Sequence, residues 1–219
     1  MTRAGEGAEV RPRLTIFDLD GTLVDSVDDL AASVNHALAR VGLPARGREE
    51  VRGFIGDGAR MLLSRAVGAR PDLLEPALAA WRAHYGEHLL DRTRPYPGVP
   101  EVLAGAGRPL AVLTNKPAPM ARRILDGLGL APRFFAVVGG GDAPAKPDPA
   151  GARALLARAG VRPEDAVLVG DSPVDAQTAR AAGMEFVAVT WGLVPREELL
   201  RAGAAVLVDG AEELAPFLR

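Results

Sequence analysis

The sequence predicts an α/β protein, in which a Rossmann-like parallel sheet carries a small helical cap domain inserted after its first strand. The first observation behind this prediction is a series of six short apolar runs, most of them separated by segments of helical pattern. Alternating strands and helices are typical of right-handed βαβ units and an open parallel sheet. The second observation is a spacing: about ninety residues separate the first run from the second, far more than one crossover needs.

Each apolar run is short, nearly continuous and rich in Val, Ile, Leu or Phe, as expected of strands that are covered on both faces. The runs predict strands over residues 14–18, 110–114, 135–138, 166–170, 186–190 and 205–209. Around these strands, the apolar spacing predicts helices over residues 98–106, 118–128, 149–160, 173–182, 196–202 and 211–218. Glycines just past the predicted helix ends and prolines near the helix starts agree with these boundaries.

The long connection after the first strand has helical rather than strand-like patterns. Its repeated Ala and Leu residues predict helices over residues 27–41, 49–54, 58–67 and 73–90. An Arg-Pro-Tyr-Pro-Gly segment at 94–98 marks the return of the chain to the sheet. We therefore expect a core made of residues 1–26 and 96–219, a helical cap made of residues 27–95, and a flexible tail over residues 1–12. Because ligands of open α/β sheets bind outside the carboxyl ends of the strands, such a cap would cover the ligand site.

Composition restricts the classes of partner and of chemistry. The 219 residues are 48% hydrophobic and 25% charged, and the net charge of −2 gives no electrostatic reason to expect a nucleic acid or an anionic membrane as partner. The sequence has neither a long apolar run nor a secretory signal, so we expect no membrane partner and a cytoplasmic location. The absence of cysteine rules out disulfides, thiolate zinc sites and thiol nucleophiles. No sequence feature indicates the oligomeric state.

Polar residues collect where the predicted strands end. The first strand ends at Asp18, with Asp20 two positions later, and a strand conformation would place both carboxylates on the same side. The ends of the next three strands carry further polar residues, which are Thr114, Asn115, Lys116, Lys146, Asp171 and Asp175. A parallel sheet brings all four strand ends to one edge, so we expect these side chains to form one site.

This set of residue types suits phosphoryl transfer. Charge develops on phosphoryl oxygens, and the set contains hydroxyl, amide and ammonium donors that could surround them, at Thr114, Asn115 and Lys146. Hard oxygen ligands suit Mg²⁺, for which Asp18, Asp171 and a backbone carbonyl near Asp20 would suffice. One carboxylate could serve as a nucleophile, and a neighbouring one could protonate the leaving oxygen and then activate water.

Four segments of the sequence resemble, in order, the motifs of the haloacid dehalogenase-like superfamily. They are Asp18-Leu19-Asp20-Gly21-Thr22-Leu23-Val24-Asp25-Ser26, Thr114-Asn115-Lys116-Pro117, Lys146-Pro147-Asp148-Pro149 and Gly170-Asp171-Ser172-Pro173-Val174-Asp175. Four ordered motifs are a strong signal, whereas an Asp-x-Asp pair alone would be weak. The resemblance implies Asp18 as nucleophile and magnesium ligand, Asp20 as general acid and base and as a further metal ligand, Thr114 and Lys146 as phosphate ligands, Asp171 as a metal ligand, and Asp175 beside the metal or its water.

Within this superfamily the sequence is most similar to the phosphoglycolate phosphatases. The segment Phe54-Ile55-Gly56-Asp57-Gly58-Ala59-Arg60 resembles the cap loop of that group, except that asparagine is more usual than Asp57. The similarity implies a magnesium-dependent hydrolysis of a small phosphorylated metabolite, 2-phosphoglycolate, through an aspartyl-phosphate. It also implies candidate substrate or cap contacts at Thr22, Gly56, Asp57, Gly58, Arg60 and Lys116. Arg60 is a candidate for holding a substrate carboxylate; the alternative is that it only caps or pairs on the cap surface.

Other functions fit the same motifs. The same chemistry could act on pyrophosphate, a sugar phosphate or a nucleotide monophosphate, and a phosphomutase would differ in how well the cap protects the aspartyl-phosphate from water. A non-catalytic regulator would usually have lost one of the two acids, yet Asp18 and Asp20 are both present.

Two further sequence patterns resemble known motifs but are incomplete. The segment His84-Tyr85-Gly86-Glu87-His88 matches a zinc protease motif but contains a helix-weakening glycine, and the glycines at 139–141 lack the spacing of a dinucleotide loop.

Overall fold

The computed structural model describes residues 13–219, so the flexible tail expected over residues 1–12 lies outside the described residues. The strands, in chain order, are β1 (Leu14–Phe17), β2 (Val24–Asp25), β3 (Arg94–Pro95), β4 (Leu110–Pro117), β5 (Ala136–Gly140), β6 (Ala166–Gly170), β7 (Glu185–Val189) and β8 (Val206–Val208). The α-helices are α1 (Val27–Arg40), α2 (Arg48–Arg52), α3 (Ala59–Val67), α4 (Leu74–Glu87), α5 (Val99–Ala104), α6 (Ala118–Gly127), α7 (Ala150–Ala159), α8 (Pro173–Ala182) and α9 (Arg196–Arg201). Short 3₁₀ helices cover Pro71–Leu73, Ala131–Arg133, Pro163–Asp165 and Ala211–Phe217.

Six of the strands form one parallel sheet in the order β5-β4-β1-β6-β7-β8. In the centre of this sheet, Ile16 of β1 lies opposite Ala111 of β4 on one side and Leu168 of β6 on the other. If only the strands of this sheet are counted, the order is that of a Rossmann-like sheet, in which the winding direction reverses between β1 and β6. The predicted fold class, including the helical insertion after the first strand, is confirmed.

Helices cover both faces of the sheet, which explains why its strands appear in the sequence as continuous apolar runs. Leu14 and Ile16 pack in one apolar cluster together with Leu155 of α7. Phe17 belongs to a second cluster, which includes Ile124 of α6. Successive side chains of β1 therefore point to opposite faces, and both faces meet apolar partners.

Helices α1 to α4 lie between β2 and β3, where the sequence predicts a helical insertion. Helix α1 packs on α2 and α4, and α3 packs on α4. The buried carboxylate of Asp29 on α1 accepts hydrogen bonds from the backbone N–H groups of Arg92 and Thr93 and from the Thr93 hydroxyl. Asp29 thereby fastens the start of the insertion to its end.

Two features of the fold differ from the sequence-based prediction. Strands β2 and β3 form an antiparallel ribbon that was not predicted, with Val24 opposite Pro95. Strands of two residues that lie far apart in the chain leave no local periodicity to detect. The last predicted helix is a 3₁₀ helix that contains Pro216, because proline lacks the N–H that an α-helix interior requires. Within residues 13–219, none of the helices combines the length and the apolar character needed to cross a bilayer.

Candidate active site

The candidate site residues meet at the carboxyl edge of the sheet, where the winding direction reverses. Asp18 directly follows β1, Asp171 directly follows β6, and Thr114 and Asn115 lie in the last part of β4. All four side chains are buried. The crevice at such a reversal point is where open α/β sheets bind their ligands.

Three carboxylates form a buried acidic cluster. Asp18, Asp171 and Asp175 can each offer one oxygen within 4.8 Å of the other two. Burial raises the pKa of Asp18 to about 6; the nearby Lys146 opposes this rise and Asp175 adds to it. Burial also raises the pKa of Asp171 well above its ordinary value, and the charges of Asp175 and Asp18 add to the effect. Buried like charges of this kind call for a cation, and a set of hard oxygen donors fits a divalent ion such as Mg²⁺.

Asp171 lies in a close-fitting cradle. Its Oδ1 accepts a hydrogen bond from Thr22 Oγ1 (2.9 Å), and its Oδ2 accepts one from the Leu193 N–H (2.7 Å). A Cβ atom at Gly21 or at Gly192 would lie 2.2 Å from the Asp171 side chain, so glycine is required at both positions. The sequence made Thr22 a candidate substrate contact, whereas in the structure its hydroxyl donates a hydrogen bond to Asp171.

Lys146 connects Asp18 to Asp175. Its buried Nζ lies 2.8 Å from Asp18 Oδ1 and 2.6 Å from Asp175 Oδ1. Burial lowers the pKa of Lys146, but Asp175 and Asp18 outweigh it and raise the pKa above its usual value, so the ammonium stays charged. Asp175 Oδ2 accepts hydrogen bonds from the N–H (3.1 Å) and the hydroxyl (2.6 Å) of Ser172 in the capping box of α8. Asp175 therefore both caps α8 and holds the ammonium beside Asp18.

Asp20 has a different cation as its partner. Lys116 Nζ lies 2.8 Å and 3.0 Å from the two carboxylate oxygens of Asp20, and Ser26 Oγ donates to one of them. The two lysines of the chain thus pair with the two acids of the first motif. The pairs of Asp20 with Lys116 and Ser26 were not foreseen. The lysine lies far away in the sequence, and a serine after an Asp-x-Asp motif carries no signal of its own.

The amide of Asn115 joins two backbone segments. Its Nδ2 donates to the carbonyls of Gly56 (3.0 Å) and Lys146 (3.1 Å), and its Oδ1 accepts from the Lys146 N–H (2.7 Å). Backbone carbonyls thus occupy both amide hydrogens, in place of the phosphate contact expected from the sequence. The hydroxyl oxygen of Thr114 accepts a hydrogen bond from the Lys116 N–H (3.2 Å), which leaves the hydroxyl hydrogen for a ligand.

A cavity separates these groups from the inserted helices. Its sheet side is lined by Asp18, Asp20 and residues 114–117, and its helical side by small and apolar residues: Leu30, Ile55, Gly56, Gly58, Ala59, Leu62 and Trp81. The volume of the cavity is about 40 Å³. About three water molecules would fill it. The apolar lining residues were not predicted, because apolar positions at helical spacing are also typical of an ordinary core.

Asp57 and Arg60 do not line this cavity. Asp57 pairs with Arg65, and Arg60 pairs with Glu75 in a largely exposed ion pair. The ion pair of Arg60 fits the alternative role considered from the sequence, a pair on the surface of the inserted segment.

The histidines form a separate stack on the inserted helices. The ring of His84 stacks on His36 at 4.1 Å and on His88 at 4.2 Å between ring centres. Within the described part of the chain, the acidic cluster is the only group of His, Asp and Glu side chains that could hold a metal ion. The zinc protease pattern at 84–88 therefore has no structural support among these residues.

Comparison with known proteins agrees with the four motifs. The family model described as haloacid dehalogenase-like hydrolase matches residues 15–189. Phosphoglycolate phosphatase 1 of Pseudomonas aeruginosa is 40% identical over 217 residues, which cover 94% of this chain and 79% of that protein. The phosphoglycolate phosphatase of Rhodospirillum rubrum is 40% identical over 220 residues, which cover 94% of this chain and 91% of that protein.

Solved structures show the same fold. A crystal structure described as a predicted phosphoglycolate phosphatase from Haemophilus somnus matches with a TM-score of 0.87 at 35% identity, over 93% of this chain and 97% of that one. The family match, the related sequences and the gathering of the motif residues at one sheet edge lead to one conclusion. The chain belongs to the haloacid dehalogenase-like hydrolase family, within which it is a phosphatase.

Proposed function

We propose that this phosphatase hydrolyses 2-phosphoglycolate to glycolate and phosphate, with Mg²⁺ as cofactor and a phosphate ester formed transiently on Asp18. The observation that carries the proposal is the position of Asp18, which lines the cavity, lies 2.8 Å from the Lys146 ammonium and belongs to the acidic cluster. A carboxylate there has a cation, metal ligands and room for a phosphate group around it. The names of the related proteins support this choice of substrate.

In the proposed mechanism, Asp18 attacks the phosphorus atom. Lys146 and the Thr114 hydroxyl donate to the phosphoryl oxygens, whose negative charge increases in the transition state. A bound Mg²⁺, held by Asp18, Asp171 and the carbonyl of Asp20 with Asp175 beside it, would add positive charge at the same oxygens. The cradle around Asp171 keeps one of these carboxylates in a fixed orientation.

Asp20 is the proposed general acid and base. Its ion pair with Lys116 holds it apart from the Lys146 pair of Asp18, so the two acids can take different roles. Asp20 takes up a proton from solvent before the first step. Its carboxyl group then protonates the leaving alkoxide while Asp18 forms its bond to phosphorus and the bond between phosphorus and the leaving oxygen breaks. The resulting Asp20 carboxylate then removes a proton from the water that cleaves the aspartyl-phosphate, and both acids return to their starting states.

We further propose that residues 27–95 act as a cap over a core made of residues 1–26 and 96–219. Helices α1 to α4 pack on one another, and the β2–β3 ribbon lies at the point where the chain leaves and re-enters the core. Side chains of these helices line the cavity opposite Asp18, and closure of the cap over it would exclude bulk water during the first step.

A phosphate-release panel tests the proposal. We expect the highest kcat/KM for 2-phosphoglycolate among a set that also contains pyrophosphate, a sugar phosphate, a nucleotide monophosphate and p-nitrophenyl phosphate. EDTA should abolish turnover, and Asp18→Asn should lower it by about 10³-fold or more. The matched control is Asp142→Asn, which alters an exposed acid paired with Arg122 and should leave turnover unchanged. A higher kcat/KM for another substrate would refute the substrate, and full activity of Asp18→Asn would refute the mechanism.

A further inference from the structure

One buried cation lies on the part of the cavity wall where the leaving group should be. Lys116 lines the cavity, its side chain is only 3% exposed, and its Nζ contacts both carboxylate oxygens of Asp20. Among the Lys and Arg side chains of residues 13–219, Lys116 is the only one that lines this cavity. Lys146 instead reaches Asp18 and Asp175.

The surroundings of Lys116 are largely apolar but contain one buried donor without a partner. Across the cavity stand Leu30, Leu62 and the Trp81 ring. Trp81 stacks on Tyr85 at 5.0 Å, and Lys116 Nζ lies 4.8 Å from the centre of the Tyr85 ring. Trp81 Nε1 is buried and has no hydrogen-bond partner within the described residues. Buried polar atoms are rarely left unpaired, so a polar group that binds next to Lys116 would remove an energetic cost.

We propose that Lys116 binds a carboxylate on the leaving group and thereby selects phosphate esters of short α-hydroxy acids over those of neutral alcohols. This inference rests on the proposed function, because it takes Asp20 as the proton donor to the leaving oxygen. A proton donor must lie within about 2.6–3.2 Å of that oxygen, and Lys116 Nζ lies within 3.0 Å of the Asp20 carboxylate.

The chemistry of α-hydroxy acids fits this arrangement. Their carboxylate is attached to the carbon that bears the leaving oxygen, so a leaving oxygen at Asp20 brings the carboxylate within reach of Lys116. An apolar wall cannot solvate a carboxylate, which must therefore be paired with a cation when it is buried. A neutral alcohol in the same place would bring no new anionic partner to the ammonium, which would keep its contacts with Asp20 and Tyr85.

The test compares substrates that differ only in the carboxylate. The pairs are 2-phosphoglycolate with 2-hydroxyethyl phosphate, and 2-phospholactate with the phosphate ester of the matching diol. We expect the wild-type enzyme to prefer the acid of each pair in kcat/KM by roughly 10- to 100-fold, the range expected for a hydrogen bond between charged groups. Lys116→Met should lose most of this preference. Arg60→Met, which removes a cap cation outside the cavity, should keep it.

The ratio of kcat/KM between the two substrates of a pair distinguishes a specificity role of Lys116 from a purely structural one. Lys116→Met also removes the partner of Asp20, but that loss slows both members of a pair and cancels in the ratio. An unchanged ratio in Lys116→Met would show that Lys116 only positions Asp20, and would overturn the inference. Lys116→Gln offers the same readout if the methionine variant does not fold. A wild-type enzyme without a preference for the acids overturns the inference without any variant.

The same panel distinguishes this inference from the proposed function. If 2-phospholactate is the better substrate and Lys116→Met removes the preference within its pair, the assignment of 2-phosphoglycolate fails and the role of Lys116 stands. If 2-phosphoglycolate is the best substrate but its ratio does not depend on Lys116, the proposed function stands and the role of Lys116 fails.

Discussion

Replacement of Asn115 by alanine tests whether this amide holds the site together or binds phosphate directly. The structure assigns all of its amide atoms to backbone groups, with Gly56 of the inserted segment on one side and Lys146 of the core on the other. Loss of the amide should therefore release the Lys146 backbone and the loop that lines the cavity. The expected result is a less stable protein with lower activity, rather than a stable protein with weaker phosphate binding.

The magnitude follows from the three hydrogen bonds of the amide. Each contributes about 0.5–1.5 kcal/mol net, so Asn115→Ala should lower the free energy of unfolding by roughly 2–4 kcal/mol. That is a large fraction of the ~5–15 kcal/mol typical of a folded domain, and it corresponds to a decrease in Tm of roughly 4–16 °C. Asn115→Asp keeps the acceptor for the Lys146 N–H but replaces the amide donor with a carboxylate oxygen that faces two carbonyl oxygens. It should therefore lower the free energy of unfolding by at least as much as Asn115→Ala.

Urea unfolding followed by tryptophan fluorescence measures the change, with kcat/KM measured on the same preparations. The matched control is Asn35→Ala, because Asn35 also exchanges two hydrogen bonds with the backbone of Arg46, on the inserted helices away from the cavity. The control should lose stability but keep its kcat/KM. If Asn115→Ala unfolds like the wild type and only its affinity for inorganic phosphate falls, the amide binds phosphate and the structural reasoning is wrong.

Three further predictions concern the metal site, the cap and pH. Gly192→Ala would place a Cβ 2.2 Å from the Asp171 side chain and should weaken Mg²⁺ binding measured by calorimetry. The control is Gly86→Ala, whose new Cβ would meet no atom within 4 Å and should leave Mg²⁺ binding unchanged. Arg52 donates to the carbonyl of Gly192 at 2.6 Å and so ties α2 to the core; Arg52→Ala should raise KM several-fold, and an unchanged KM would contradict this role. Burial raises the pKa of Asp18 from 3.8 to about 6, so its ionised form destabilises the folded state above pH 6. In EDTA at pH 7.5, Asp18→Asn should therefore raise the free energy of unfolding by up to about 3 kcal/mol, and urea unfolding should show this gain disappear below about pH 4.

Much of the sheet could be predicted because its strands are short and buried on both faces. A run such as Leu14–Phe17 is apolar at every position except Thr15, whose hydroxyl donates to the Phe217 carbonyl. Local composition therefore carries the signal. The β2–β3 ribbon could not be predicted in this way, because its pairing depends on where the inserted helices return the chain.

In the candidate site, too, the residues at strand ends could be predicted, and the contacts between distant segments could not. Asp18, Asp20 and Asp171 could be found from the sequence because a parallel sheet gathers strand ends at one edge. The cation that each acid contacts could not be found, since Lys116 and Lys146 lie more than ninety residues away in the sequence from the acids that they contact. For Arg60 the sequence left two roles open, a ligand contact and a surface pair, and its side chain pairs with Glu75 at the surface.

By itself, the sequence determined the α/β class, the helical insertion and the chemical types gathered at the strand ends. These follow from periodicity and from the order of motifs, which are properties of local segments. Only the tertiary structure decided that Asn115 joins the cavity loop to the Lys146 backbone, that Lys116 pairs with Asp20, and that the inserted helices face Asp18 across a cavity. Those contacts depend on distances between segments that the chain brings together only when the sheet and the inserted helices are packed.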